Sequence, residues 1–361
     1  MSNLHKRKKI DGRYLIEEVN SDISFYKFID KKQIFNFLVK GEKNEYFKAN
    51  GRHSFDVSEL FACAIANAAG YKIVEQFPAV YIDKKGKQYQ GVISEDYIKD
   101  REKVEVILSA IVLKTYFNNN VLRVEENAIE NHYNAAKAYI KNINKIKNKK
   151  DKKLELDNNF VKDLQKLRLF GFLIGTEDLW PNNIEFFIEN NILKVSTPLD
   201  FSYSFLIKSF SSNLRINFRD GLSQKEKQEL VENKLELINM PFKVFSENAE
   251  DNNRFTAAQE TAKMLLMDDE LKEFYNNFKK LDVKQVLTTW QKNNEYNFIE
   301  DEDIELASLV VKTSIKQIEQ ALENEIIVQN SPLYKISKQS EKFNNREFLT
   351  YYKTKNYEIE L

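Results

Sequence analysis

The chain has 361 residues, with 55 Lys+Arg against 55 Asp+Glu and a formal net charge of zero, a balance that argues against a dedicated nucleic-acid binder. Its one cysteine, Cys63, excludes a disulfide framework within the chain and points to a reducing, intracellular setting, and with His5, His53 and His132 it does not make the usual four-ligand structural zinc site. No apolar run approaches the roughly 18 residues of a membrane span, and the basic start MSNLHKRKKIDG lacks the apolar core of a secretory signal.

A chain of this length suggests about two domains or lobes. Residues 1–12 read as a flexible polar tail. Arg13–Val19, Ile23–Ile29 and Ile34–Val39 are rich in aromatic and β-branched residues and read as strands. Asp56–Ala69 reads as a helix, with Asp56 as N-cap, Glu59 at the capping-box position and Gly70 as the stop. Lys72–Val74, Ala79–Asp83 and Gln88–Ser94 read as further strands, the last two joined by a hairpin turn. Val104–Tyr116 and Val124–Ile146 show helical spacing, and Lys141–Lys153 reads as a solvated loop or helix end. Phe160–Ile174 is a strong helix, apolar nearly all round in its later half and therefore buried. Short strands follow near Ile184–Ile188 and Ile192–Val195, and after about Phe205 the pattern is helix and loop, ending in a polar tail. The expected fold is α+β and two-lobed, a β-rich first part with one key helix and a mostly helical second part.

The informative segment is Gly175–Ser204, GTEDLWPNNIEFFIENNILKVSTPLDFSYS. Asp178 is followed five residues on by Asn183, then by a strand pair, then by Asp200 directly before Phe201. Phosphoryl transfer needs such a set: one carboxylate to orient the attacking hydroxyl, and an amide oxygen with a second carboxylate to hold Mg²⁺. Loop Asp and Asn residues also serve local turns, so the spacing alone leaves both readings open. Lys40 ends a predicted strand ahead of the helix carrying Glu59, the arrangement in which a lysine–glutamate pair positions nucleotide phosphates. Glu59 could instead complete its capping box, and Lys48 in YFKAN is a second phosphate-lysine candidate. Cys63 reads as a core cysteine and His132 as a surface or satisfied core histidine.

The stretch FLVK…SELFACAIANAAGYKIVEQFPAVYI…GVISEDYI…LRLFGFLIGTEDLWPNNIEFF…TPLDFSYS resembles the HipA-like serine/threonine protein kinase family over roughly residues 20–205. The resemblance implies that Lys40, chosen over Lys48 on its spacing to Glu59, holds the phosphates with that glutamate. It implies a hinge at Ile93–Tyr97, with Glu95 and Tyr97 meeting adenine. It makes Asp178 the catalytic residue, and Asn183 and Asp200 the Mg²⁺ ligands. The chain resembles the shorter family members, which lack an extra N-terminal subdomain. The implied division is 1–12 tail, 13–97 N-lobe, 98–335 helical C-lobe and 336–361 polar tail.

Three departures stand out. Leu179-Trp180 replaces the usual Arg-His, Ser202 replaces the glycine after Asp-Phe, and no glycine lies between Gly12 and Lys40. Asn20-Ser21-Asp22 could form an Asx-type turn over phosphate instead, with Ser21 or Ser24 as an autophosphorylation site. The expectation is an ATP- and Mg²⁺-dependent kinase acting on protein Ser/Thr. The resemblance implies bacterial toxin–antitoxin or effector biology, with an antitoxin partner and a cytoplasmic or delivered location. A catalytically silent nucleotide-binding module and a small-molecule or lipid kinase remain the other readings.

Overall fold

The computed structural model describes residues 8–10, 12–17, 23–26, 35–39, 45–49, 53–95, 103–123, 126–147, 152–198, 200–207, 218, 221–238, 242 and 254–330. In the first part, strands β1 (Lys8–Ile10), β2 (Arg13–Glu17), β3 (Ile23–Tyr26), β4 (Phe35–Val39), β5 (Glu45–Ala49), β6 (Gln76–Ile82) and β7 (Gln88–Glu95) form one sheet. Its order is β1-β2-β6-β7-β5-β4-β3, and only the β2–β6 pair is parallel. Strand β5 was not among the expected strands, although its period-2 pattern is plain in the fold. Phe47 opposes Ile93 of β7 and joins a buried cluster with Ile16, Ala79 and Tyr81. The next residue, Lys48, opposes Val92 and therefore points to the other face.

Helix α1 (His53–Ala68) lies between β5 and β6 in sequence and starts three residues before the expected N-cap, so Asp56 falls in its first turn. The capping box of Asp56 and Glu59 is therefore not formed. Gly70, at φ +69°, closes the helix while the Tyr71 amide donates back to Ala66 O at 2.8 Å. The expected strand at Lys72–Val74 is irregular chain: the Val74 amide donates to Pro198 O at 2.9 Å instead of entering a ladder.

The second part begins with β8 (Val104–Leu108) and α2 (Ser109–Phe117). These divide the single helix expected over Val104–Tyr116, because the alternating V-E-V-I-L segment pairs with a later strand. Helix α3 (Ile129–Ile146) starts five residues later than expected. Then follow β9 (Glu155–Leu156), α4 (Phe160–Leu173), β10 (Glu185–Glu189) and β11 (Ile192–Val195), close to the sequence expectation for the last three. The second sheet runs β8-β10-β11-β9. Helices α5 (Gln224–Glu236), α6 (Arg254–Met267), α7 (Asp269–Lys279), α8 (Val283–Asn293) and α9 (Asp301–Asn330) complete the described chain.

Helix α4 is buried on all sides in its later half, as its composition requires, and Phe170 stacks against Tyr71, Phe201 and Phe278. Gly171 lets the following loop cross this helix. A Cβ there would lie 2.4 Å from Leu179 Cδ1 and 2.9 Å from Thr176 Cγ2. Gly171→Ala should therefore destabilise the protein by about 1–3 kcal/mol through overpacking, despite the roughly 1 kcal/mol that alanine adds as a helix former. A fall in denaturant midpoint at constant m-value would show this, and a rise would mean that Leu179 does not press on α4.

Candidate active site

Three chain segments meet at one ammonium group. Lys48 Nζ, on β5, lies 2.6 Å from Glu59 Oε1 on α1 and 2.6 Å from Asp200 Oδ2. A third contact reaches Ser202 Oγ at 3.4 Å. Glu59 is fully buried and Asp200 retains a quarter of its side-chain exposure, so the cluster opens to solvent on the Asp200 side. Among the described residues the cation paired with Glu59 is thus Lys48, the second candidate of the sequence reading. Alternation along β5 aims residue 48 at α1, whereas the spacing argument counted along the chain without that strand. Lys40 itself lies outside the described residues, as do Ser21 and Tyr97; of Glu95 only the backbone, at the end of β7, is described.

The electrostatics follow from burial and sharing. Burial opposes the charge on Lys48, but Asp200 and Glu59 outweigh it and hold the ammonium charged. Burial also works against the Asp200 carboxylate; Lys48 and the Ser202 donors overcome it and keep Asp200 below the usual range. Glu59, deeper than either, is pushed up to about 7 by burial even beside Lys48.

The Asp200 segment is shaped locally. Ser202 donates both its hydroxyl and its amide to Asp200 Oδ1, the amide at 3.1 Å. The departure from glycine thus supplies a donor that orients the carboxylate. Ser58, beside Glu59 on α1, donates to Ser204 O at 3.1 Å. Phe205 and Leu206 follow at φ of +60° and +58°, a left-handed conformation rare for large side chains. Both are buried, and the Phe205 amide donates to Ile174 O at 2.8 Å. Sequence reading missed Ser58 and marked Ser202 only as a departure from glycine, not as a donor to Asp200.

Asp178 and Asn183 stand on the loop after α4, which reaches the Asp200 segment through a hydrogen bond from the Glu177 amide to Tyr203 O at 3.2 Å. Both are partly exposed. Asn183 ends a 3-10 turn (Pro181–Asn183), and its Nδ2 donates to Asp178 O at 3.0 Å. That bond commits the amide nitrogen and leaves Oδ1 as the donor atom for a cation. Asn183 Oδ1 and the Asp200 carboxylate are hard oxygen donors of the kind Mg²⁺ takes, so the residues fit that ion.

The fold is that of a two-lobed α+β protein kinase. The sequence matches no protein-family model and no curated protein. Among solved structures the chain is similar to the Helicobacter pylori proinflammatory kinase CtkA, with a TM-score of 0.57, 12% identity and coverage of 87% of this chain and 99% of that one. Weaker similarities reach HipA of the Shewanella oneidensis MR-1 toxin–antitoxin system, solved with HipB and operator DNA (TM-score 0.37, 8% identity, covering 81% and 65%), and the golgi casein kinase (TM-score 0.37, 11% identity, covering 85% and 76%). The similarity to CtkA supports, at the level of the fold, the two-lobed kinase architecture expected from the sequence. Among the described residues no helix is long and apolar enough to cross a membrane.

One buried group near the loop makes the structure pH-sensitive. His132 on α3 is fully buried, its Nδ1 donating to Ala128 O at 2.9 Å, and burial lowers it from 6.5 to about 4. The unfolded chain binds the extra proton below pH 6.5 and the folded chain only below about 4. The neutral ring therefore contributes stability above pH 6.5 that is lost as pH falls toward 4, by about 3 kcal/mol at most. In urea denaturation the stability gap between wild type and His132→Gln should narrow by up to that amount from pH 7 to pH 4. A constant gap would mean that the imidazole is not held neutral.

Proposed function

We propose that this chain is an ATP- and Mg²⁺-dependent protein kinase that transfers the γ-phosphoryl group to a protein serine or threonine. The observation that carries the proposal is Lys48 held between Glu59 and Asp200. A buried ammonium fixed by a helix carboxylate, with the Asp178–Asn183 loop hydrogen-bonded to the Asp200 segment, is the arrangement phosphoryl transfer needs. Lys48 would meet the nucleotide phosphates, and Glu59 would fix its direction. Asp178 would orient the acceptor hydroxyl and take its proton as that oxygen bonds to the γ-phosphorus and the bond from the γ-phosphorus to the β–γ bridging oxygen breaks, ADP leaving. Magnesium, held by Asn183 Oδ1 and Asp200, would neutralise phosphate charge. The protein's part is positioning and electrostatic stabilisation rather than covalent chemistry.

The division near residue 97, a hinge using the backbone around Glu95, and autophosphorylation at Ser21 or Ser24 belong to this proposal. So do an antitoxin-type protein partner and a cytoplasmic or delivered site of action, which rest on the sequence resemblance alone.

Purified protein incubated with γ-labelled ATP and Mg²⁺ should label itself or a generic Ser/Thr acceptor, and Asp200→Ala should not. Absence of label with a Mg²⁺-dependent thermal shift by ATP would favour a silent binding module instead. Lys48→Met should lower labelling by about 100-fold or more, the scale expected when a phosphate-stabilising cation is lost. Lys40→Met should keep at least half of it. The reverse pattern would restore Lys40 as the phosphate lysine.

A further inference from the structure

The loop from Asp178 to Asn183 carries two functional side chains on six residues, and its backbone carbonyls are unusually well held. Asp178 O accepts from Asn183 Nδ2 at 3.0 Å, and Trp180 O accepts from the Asn183 amide at 2.8 Å. The other two bonds come from outside the loop. Leu179 O accepts from Asn127 Nδ2 at 2.9 Å, and Pro181 O accepts from Ser109 Oγ at 2.9 Å. Asn127 and Ser109 are both fully buried, Asn127 just ahead of α3 and Ser109 as the first residue of α2. The Ser109 amide also donates to Ile184 O at 2.8 Å, so this one residue grips the loop on both sides of Asn183. His132 Nε2 faces Ser109 Oγ at 3.3 Å, and its ring proton sits on Nδ1 because Ala128 O can only accept. The hydroxyl of Ser109 is thereby confined between two acceptors, Pro181 O and the ring.

We propose that Asn127 and Ser109 are positioning residues for phosphoryl transfer, fixing the Asp178–Asn183 loop so that Asn183 Oδ1 and the Asp178 carboxylate face one site. The inference rests on the kinase reading and deepens it. Leu179 is an apolar, buried residue where the family pattern places arginine, so its side chain supplies no polar tether. The tether is made instead by donors from α2 and the start of α3 to the loop's own backbone. A planar amide anchored through Nδ2 presents its Oδ1 in one direction only if the carbonyl it grips is itself immobile. Asn127 and Ser109 provide that immobility on either side of Trp180. Neither residue touches the reacting atoms. Their loss should disturb the cation and the transfer step while leaving nucleotide contacts on Lys48 intact.

The test compares wild type with Asn127→Ala, Ser109→Ala and Ser109→Thr, using Mg²⁺, ATP and the labelling assay, with ATP binding also measured by calorimetry with and without Mg²⁺. Asn127→Ala and Ser109→Ala should lower kcat by about 10- to 100-fold, the scale of an ångström-level misplacement. They should keep the metal-free ATP affinity within about twofold and raise the Mg²⁺ concentration needed for tight ATP binding. Ser109→Thr, which keeps the hydroxyl, should restore most of both. Wild type active with all variants unchanged in kcat and Mg²⁺ dependence overturns the positioning role alone. Equal loss of ATP affinity with and without Mg²⁺ also overturns it, since that is general damage to the fold. Wild type showing neither labelling nor ATP binding overturns the kinase reading, and this inference with it. Should Asn127→Ala fail to fold, the Ser109 pair decides the matter by itself.

Discussion

The ammonium of Lys48 is the point on which the rest of the molecule turns. It takes one carboxylate from α1 and one from the Asp200 segment, and it stands on a central strand of the first sheet. Such a cluster is poor value as a source of stability. Removing charges from water costs several kcal/mol per ion, and a well-packed apolar set is often as stable or more so. Its presence is better explained by what the charge does than by what it adds to folding. Burial works against the Glu59 carboxylate, while Asp200 is held ionised on the side where the cluster meets solvent.

The surrounding structure keeps those three groups in register. Phe61, one turn from Ser58 on α1, meets Phe205 of the Asp200 segment with ring centroids 6.1 Å apart, and Trp290 of α8 at 6.4 Å. Trp290 in turn packs edge-on against Tyr296 at 4.7 Å. The turn between β1 and β2 closes on the same region: a side chain at Gly12 would strike Glu295 O at 2.6 Å, and the Arg13 guanidinium lies 4.2 Å over the Phe298 ring. Helix α1 is thereby gripped between the first sheet and the late helices. The left-handed Phe205 and Leu206 sit inside this packing. Their backbone strain, of order 1–3 kcal/mol each, is held there by burial and by the bonds from Ser58 and to Ile174.

Much of this was legible in the sequence where one local pattern decided the structure. The helix over 160–174 and the strand pair at 184–195 needed only periodicity and spacing. What was not legible depended on partners distant in the chain. Lys48 could be chosen over Lys40 only by knowing that β5 exists and which face residue 48 takes. Glu59 fitted a capping box as well as an ion pair until the helix start at His53 removed the box. Val104–Leu108 carries a pattern that suits helix or strand, and pairing with β10 settled it. Asn127, Ser109 and Ser58 act through backbone carbonyls, for which one sequence carries no signature.

The departures from the family pattern are coupled rather than independent. Leu179 can be buried over α4 because residue 171 is glycine, and its carbonyl accepts from Asn127. Ser202 in place of glycine gives Asp200 one extra donor, its hydroxyl, which helps to hold a carboxylate largely withdrawn from water. A decayed site would show substitutions that leave buried polar groups stranded or cavities unfilled. Leu179 and Ser202 instead fill the space over Gly171 and donate to Asp200, respectively. Lys48, Glu59 and Asp200 are held together by these contacts, which is what the proposed phosphoryl transfer requires of them.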